Sequence, residues 1–287
     1  MDLCYTPMIL ADSFIRSSIA RDLEYQYCVA DRPVVLQVAA NSAVNFADAV
    51  ELAAPWVDGV DLNCGCPQGW AWQEGVGASL MRDPEKIRDM VRMARARSET
   101  TPISVKIRIF GEGDHDDHPT GAAEARLCSR RTVDLARMIE AAGASWISVH
   151  GRTRKQKSSE PVHLPTIQAV KQSLTIPVIA NGDVNSLEAM KRIVHETGAD
   201  GVMAARALLD NPALFAGFSH TPWECVERFT NHSLWYGTNS AVFHHHLALM
   251  TASFLSPSHH RLLNTLSNAS VPTVLDFISQ MAPLYCQ

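Results

Sequence analysis

The chain has no run of about twenty apolar residues, so an ordinary membrane-spanning helix is excluded. Its opening segment, MDLCYTPMIL, lacks the basic-then-apolar layout of a secretory leader. Cysteine is scarce: seven residues in 287, irregularly placed at 4, 28, 64, 66, 128, 225 and 286. An odd count without regular spacing argues against a disulfide framework. It predicts free thiols in a reducing compartment, the cytoplasm first and the nucleus also open. A basic excess is missing too. Lys and Arg total 25 against 30 Asp and Glu, for a net charge of −5. That excludes a strongly basic coat and leaves a nucleic-acid substrate only through a local basic patch. No GxGxxG opens the first unit, so a Rossmann domain has no support. No internal repeat is evident.

A core-forming composition is present: apolar residues make up 46% of the chain, which excludes intrinsic disorder. Short β-rich runs alternate with helical stretches. Strands are predicted at 3–9, 34–40, 57–63, 103–109, 145–151, 176–183 and 200–206. Helices are predicted at about 12–24, 43–52, 84–97, 132–142, 165–173 and 186–196. Asn41 or Ser42 caps the second helix and Asp83-Pro84-Glu85 opens the third. Gly198 closes the last. The strands are apolar on both faces, as a sheet covered by helices on one side and filled on the other requires. The alternation predicts parallel βα units. The fold class is α/β, a TIM (β/α)8-type barrel one strand short, followed by a helical tail of about 70 residues from Pro212 onward.

In such a barrel the residues at the C-terminal ends of strands face the active site. Gln37, Asn63-Cys64-Gly65-Cys66-Pro67-Gln68, Lys106, His150-Gly151-Arg152, Asn181-Gly182-Asp183 and Ala205-Arg206 all fall there. Polar or small residues at six successive strand ends suggest a polar ligand over the mouth. Cys-x-Cys alone does not make a zinc site, since no second pair stands at a sensible distance. Gly65 and Pro67 instead shape a turn that holds one thiol over the pocket. An ordinary thiol, with a pKa near 8.5, is about 3% ionised at pH 7. It suits proton donation, and becomes a nucleophile only beside a cation or a helix N-terminus; a buried inert cysteine stays open.

Lys106 shares a polar face with Ser104 and Arg108, opposite Val105 and Ile107. Turned inward it is a buried cation in need of an anionic partner, such as the N1/O2 edge of a reduced flavin; turned outward it lies between helices. The loops ANGDV and AARAL have the form of a barrel's phosphate site, with Arg206 able to add a charge-assisted bond; a plain tight turn is the alternative. HGRTRKQK carries Arg152, Arg154, Lys155 and Lys157 directly after a strand, where it would rim the mouth and meet a polyanion; a solvated loop is the alternative. DHDDH at 114–118 reads as an exposed acidic loop before it reads as a metal site. His244–His246, if helical, point in three directions and do not converge on one ion.

Together these segments resemble the tRNA-dihydrouridine synthase family. NCGCPQ is similar to the family's catalytic-loop signature, with Cys66 at the catalytic cysteine. LQVAA, KIR, HGRT, ANGD and AAR follow in the family's order and spacing. DLCYTPMI, GVDLNCGCPQ, ASWISVHGRT, IPVIANGD and NPALFAG are most similar to its 20a/20b branch. The resemblance runs from residue 2 to about 220 and weakens in the tail. It implies an FMN-binding barrel over 1–218 and a helical tRNA-binding tail over 219–287. It implies reduction of a D-loop uridine at C5=C6, with NADPH or NADH as reductant and no metal. Gln37, Lys106 and His150 would contact the flavin, and Asn181, Gly182, Asp183, Ala205 and Arg206 its phosphate end. Hydride would reach C6 and Cys66 would protonate C5. Asn63, Arg152, Arg154 and Lys155 would face the tRNA.

Three departures accompany the resemblance. The family begins with one more strand, bearing an Ala-Pro-Met type turn, and Thr6-Pro7-Met8 is not that turn. The segment between Ile109 and Arg131 is longer than the branch suggests, and Ala205 stands where the family usually has Gly. A missing strand bares two parallel edges, near 3–9 and 200–204. At about 1–3 kcal/mol per buried unpaired backbone group, that costs on the order of 10 kcal/mol. Two other readings therefore stay open: a shortened, non-catalytic form of such an enzyme, and another FMN barrel acting on a small pyrimidine.

Overall fold

The computed structural model describes residues 2–25, 28–111, 122–267 and 269–285. The acidic DHDDH segment lies outside these residues. The chain divides into two compact units, one of Met1–Asp183 with Arg192–Met203, the other of Val184–Lys191 with Ala204–Gln287.

The first unit is built on one parallel sheet. Its strands are β1 (Cys4–Tyr5), β2 (Ile9–Leu10), β3 (Val34–Ala39), β4 (Gly59–Cys64), β5 (Ile103–Arg108), β6 (Trp146–His150), β7 (Val178–Asn181) and β8 (Gly201–Met203). The order is β1-β3-β4-β5-β6-β7-β8, with β2 also paired to β3. Among the described residues β8 and β1 do not pair, so the sheet ends where the sequence places its two bare edges. The helices are α1 (Ala11–Arg16), α2 (Ser18–Glu24), α3 (Ala43–Ala53), α4 (Gly69–Gln73), α5 (Pro84–Arg97), α6 (Ala122–Ala141), α7 (Leu164–Ser173) and α8 (Leu187–Thr197), the last running across both units. Helix α3 starts at a Ser42 cap that accepts from Asn45 N, and α5 at an Asp83 cap with Pro84 in its first turn.

Local chemistry explains where the structure departs from the predicted elements. The first strand is continuous in the apolar pattern but broken in space, because Pro7 has no N–H to donate and fixes its own φ. The Thr6 hydroxyl fills the gap, accepting from Gln37 N at 3.1 Å where a strand carbonyl would otherwise stand. The predicted helix at 12–24 is interrupted at Ser17, whose side chain caps α2 by accepting from Ala20 N. Helix α6 begins ten residues before the predicted 132, since AAEARL is strongly helix-forming although it directly follows a polar insert.

Alternation sorts the sheet's two faces. Val34, Leu36 and Val38 of β3 and Val60 and Leu62 of β4 are buried against the helical layer, which includes Phe46 of α3 and Ile87, Met90 and Val91 of α5. The opposite, inner face is unusually polar: Gln37, Asp61, Asn63, Ser104, Lys106 and Ser148.

The second unit is apolar by contrast. It includes the short helix α9 (Arg206–Asp210), and helices α10 (Trp223–Tyr236), α11 (Ser240–Thr251), α12 (Pro257–Thr265) and α13 (Val271–Tyr285) enclose Trp223, Val226, Phe243, Leu247, Met250, Leu263, Val274 and Phe277. Within it the three successive histidines diverge: His244 is buried with Nε2 bonded to Leu263 O at 2.8 Å, while His245 is exposed and His246 half-buried. No described helix is long and apolar enough to cross a membrane.

Candidate active site

Strand β4 ends at Cys64, and the next two residues turn sharply. The turn is held from below by Asn63, whose Oδ1 accepts from the N–H groups of Gly65 (3.0 Å) and Cys66 (2.9 Å). It is held from above by Arg108, whose Nε donates to Gly65 O at 2.7 Å and whose Nη1 donates to Thr153 O at 2.9 Å. Cys66 O accepts from Ala78 N. Gly77 sits at φ +65°, and a Cβ there would lie 2.8 Å from both Cys66 Cβ and Cys66 O. Cys66 itself is half-buried and packs against the cluster of Ala39, Ala71 and Val76. Cys64 faces the other way, fully buried, and burial together with nearby Asp61 pushes its thiol well above its ordinary range. Of the two thiols, Cys66 is therefore the one available for chemistry.

Beneath this loop lies the polar inner face. Asp61 is fully buried and accepts from Ser104 Oγ (2.6 Å) and Gln37 Nε2 (2.9 Å). Asn63 Nδ2 donates to Gln37 Oε1 at 2.7 Å. Lys106 follows Ser104 on the same face, so the inward orientation holds, and it stands beside Asn63 in the β4–β5 register. Burial pushes the Asp61 carboxyl up and the Lys106 ammonium down from their ordinary values, and their mutual attraction opposes both shifts. The Lys106 ammonium forms no hydrogen bond with the described residues. Burial also lowers Arg108. An ammonium carries three donors and no acceptor. Held half-buried between Asp61 and Arg108 without a hydrogen bond, it is a donor suited to an anionic ligand.

The remaining strand ends fall into two groups. His150 and Asn181 are register partners, as are His150 and Arg108. Asn181 Nδ2 donates to Met203 O at 2.8 Å, and Asn181 O accepts from Gly151 N. Gly182, at φ +116°, has no room for a side chain: a Cβ would lie 2.5 Å from Val162 Cγ1 and 3.0 Å from the His150 ring. Asp183 sits at φ +55° and takes both oxygens to Arg152 Nη2, at 2.6 and 2.8 Å. Arg152 is thus 3% exposed and inside the loop, where the sequence expected a rim cation. Asn63 is likewise turned inward, 7% exposed. Arg154 lies over the Trp72 ring at 4.2 Å, with Arg82 at 5.5 Å, while Lys155 and Lys157 are exposed. Ala205 and Arg206 belong to the second unit, where Ala205 precedes α9 and Arg206 is its exposed first residue.

Sequence reasoning missed Asp61 as a hub and Arg108 and Gly77 as supports of the loop. For Asp61 a signal existed: a carboxylate inside the apolar run VDGVDLN, two residues from Asn63 and so on its face. For Gly77 none did, because its neighbour is eleven positions away.

With this geometry in hand, comparisons with known proteins are specific. The family model described as dihydrouridine synthase matches residues 1–263. A mouse (Mus musculus) protein named "tRNA-dihydrouridine(20a/20b) synthase [NAD(P)+]-like" is 44% identical over 280 residues, covering 97% of this chain and 81% of its own. A Schizosaccharomyces pombe protein named "tRNA-dihydrouridine(20a/20b) synthase [NAD(P)+]" is 41% identical over 276 residues, covering 96% and 79%. Among solved structures, an old yellow enzyme homologue from Zymomonas mobilis superposes with a TM-score of 0.50 at 12% identity, over 74% of this chain and 77% of that one. At that identity the likeness speaks for the barrel-type fold.

Proposed function

The chain belongs to the dihydrouridine synthase family, and on that premise we propose that it reduces a uridine of tRNA to 5,6-dihydrouridine, with FMN as cofactor, NADPH or NADH as reductant, and positions 20a and 20b of the D-loop as targets. The observation that carries the reading is the half-buried Lys106 ammonium, without a hydrogen bond and on the same polar face as the residues that hold the Cys66 loop. That donor set fits the anionic edge of a flavin, and Gln37, which keeps one N–H and one lone pair beyond its bonds to Asp61 and Asn63, and His150 would share the contact. Asn181, Gly182 and Asp183, held rigidly by Met203, Val162 and Arg152, would support the cofactor's far end. When bound, FMN supplies the hydride that adds to C6 of the uracil ring.

The chain's own part is the proton. The Cys66 thiol gives its hydrogen to C5, and the thiolate left behind regains one from solvent. Its loop is fixed by Asn63, Arg108 and Ala78, so the sulfur meets the base without a search for geometry. The uridine must leave its stack to reach the thiol, at a cost of a few kcal/mol that is lower in an already unstacked loop. Arg154, Lys155 and Lys157 would meet the tRNA phosphates, so affinity should fall steeply with salt. The reducing conditions expected for free thiols agree with a cytoplasmic site of action.

Replacing Cys66 with Ala in flavin-loaded protein tests the reading. The expected result is retained flavin and dihydrouridine formation slowed by about 10²–10⁴-fold. Full activity would remove Cys66 from the reaction. Wild-type protein that neither carries flavin nor takes it up would remove the flavin reading altogether.

A further inference from the structure

The polar groups under the Cys66 loop are a chain with a direction. Asp61 Oδ2 accepts from Gln37 Nε2; Gln37 Oε1 accepts from Asn63 Nδ2; Asn63 Oδ1 accepts from the N–H groups of Gly65 and Cys66. A carboxylate is acceptor-only, whereas each side-chain amide has a donor end and an acceptor end that can be exchanged by a half-turn. The carboxylate therefore decides which way Gln37 points. Gln37 in turn decides which way Asn63 points, and only one choice presents an oxygen to the loop. With either amide reversed, the Asn63 NH2 would face two backbone N–H donors and the turn would lose both bonds. Asp61 is fully buried and Asn63 is 7% exposed, so water is a poor substitute for a lost partner here. Asp61 makes no hydrogen bond to Cys66; among the residues assigned to the cofactor it bonds to Gln37 and attracts the Lys106 ammonium.

We propose that Asp61 is a positioning residue for the Cys66 thiol, acting through the ordered amides of Gln37 and Asn63. The kinetic part of this inference rests on the dihydrouridine reading above; the structural part does not. Asp61 would set the proton-delivery step more strongly than the delivery of reducing equivalents.

The test uses the full chain loaded with FMN, with Asp61→Leu and Asp61→Asn compared. Leucine removes the acceptor that orders the chain. Asparagine can still turn an oxygen to Gln37 and its NH2 to Ser104, keeping the direction. The expected result for Asp61→Leu is dihydrouridine formation in a single turnover slowed by about 10–100-fold, as for a misplacement of about 1 Å. Flavin reduction by NADPH should fall by much less than dihydrouridine formation, and Asp61→Asn, which loses the same charge beside Lys106, should recover dihydrouridine formation to within about threefold. Asp61→Leu combined with Asn63→Ala should lose no more than the worse single variant, because both cut one path. A second readout needs no turnover: the rate of Cys66 alkylation by iodoacetamide, followed by mass spectrometry, should change several-fold in Asp61→Leu and little in Asp61→Asn. If Asp61→Leu does not fold, Asp61→Val, smaller, β-branched for its strand and equally without an acceptor, is read the same way. Unchanged alkylation and turnover, equal loss in both half-reactions, or additive losses in the double variant would each overturn the proposal. Wild-type protein inactive on tRNA, but with alkylation that responds as expected, would count against the proposed function and leave the positioning role standing.

Discussion

At the entry end of the sheet, Asp58 and Asp200 each precede a strand and do the same work. Asp58 accepts from Val34 N and pairs with Arg32; Asp200 accepts from Val178 N and pairs with Lys171. Each ties the first amide of one strand to the start of the next. Further along, Asp61 and Asp183 serve the other end, one under the Cys66 loop and one against Arg152. The entry pair is partly solvated, with side chains 29% and 42% exposed, and its carboxyls are pulled below their ordinary value. For Asp58 the bond from Arg32 dominates. For Asp200 burial opposes the shift, and Lys171 with the Val178 amide outweighs it. Asp61 is shifted the other way by burial. One residue type thus staples the sheet where water is near and underlies the Cys66 loop where water is excluded. A barrel scaffold divides its two ends in this manner, stability at one and chemistry at the other.

Substitutions can sharpen or break that division. The largest effect on stability should come from Asp183→Asn, which leaves the buried Arg152 guanidinium without its charge partner. Asn tolerates the positive φ, so the cost is electrostatic, about 3 kcal/mol in denaturant unfolding. A change below about 1 kcal/mol would mean that this pair is no more than another staple. Next, Lys106→Met should weaken flavin binding by about 10–150-fold, the worth of one charge-assisted bond, when titrated by fluorescence. Equal affinity would remove Lys106 from the cofactor site. Asp200→Asn and Asp58→Asn should each cost only about 1 kcal/mol or less, since exposed ion pairs contribute little. Neither should alter dihydrouridine formation.

The smallest effect, and the most discriminating, is in pH. Asp58 and Asp200 bind protons less tightly folded than unfolded. Their contribution is present above the ordinary carboxyl value of 3.8 and is lost as pH falls through their lower folded values. Asp61 binds its proton more tightly folded than unfolded. Its contribution is therefore favourable in acid and declines as pH rises from 3.8 through its raised folded value. Urea unfolding across pH 3 to 7 should show Asp200→Asn flattening the acid side of the profile and Asp61→Asn flattening the decline above about pH 4. The same profile for both variants would erase the distinction between the two ends.

Much of this was legible in the residues. The strands β3 to β8 announce themselves as short β-rich runs, Ser42 and Asp83 as caps, and NCGCPQ as a rigid thiol-bearing turn. Parity put Lys106 on one face with Ser104 and Arg108 and left open which way that face turned. What escaped was pairing across distance. Arg152 reads as a rim cation because its partner, Asp183, lies 31 residues on. Thr6 reads as an ordinary strand residue until its hydroxyl is seen to serve Gln37 N, also 31 residues away. Arg154 joins a basic run in sequence but rests on Trp72, a ring supplied by a different loop. Local pattern reports which face a residue takes and is silent about what waits there.

Gly77 shows how far such dependence reaches. Any side chain at that position would push against the backbone and Cβ of Cys66 from outside the polar network, sparing Lys106, Gln37 and His150. Mutational damage there should therefore look like an enzyme that holds its coenzyme, accepts electrons, and then stalls with nothing to finish the reaction.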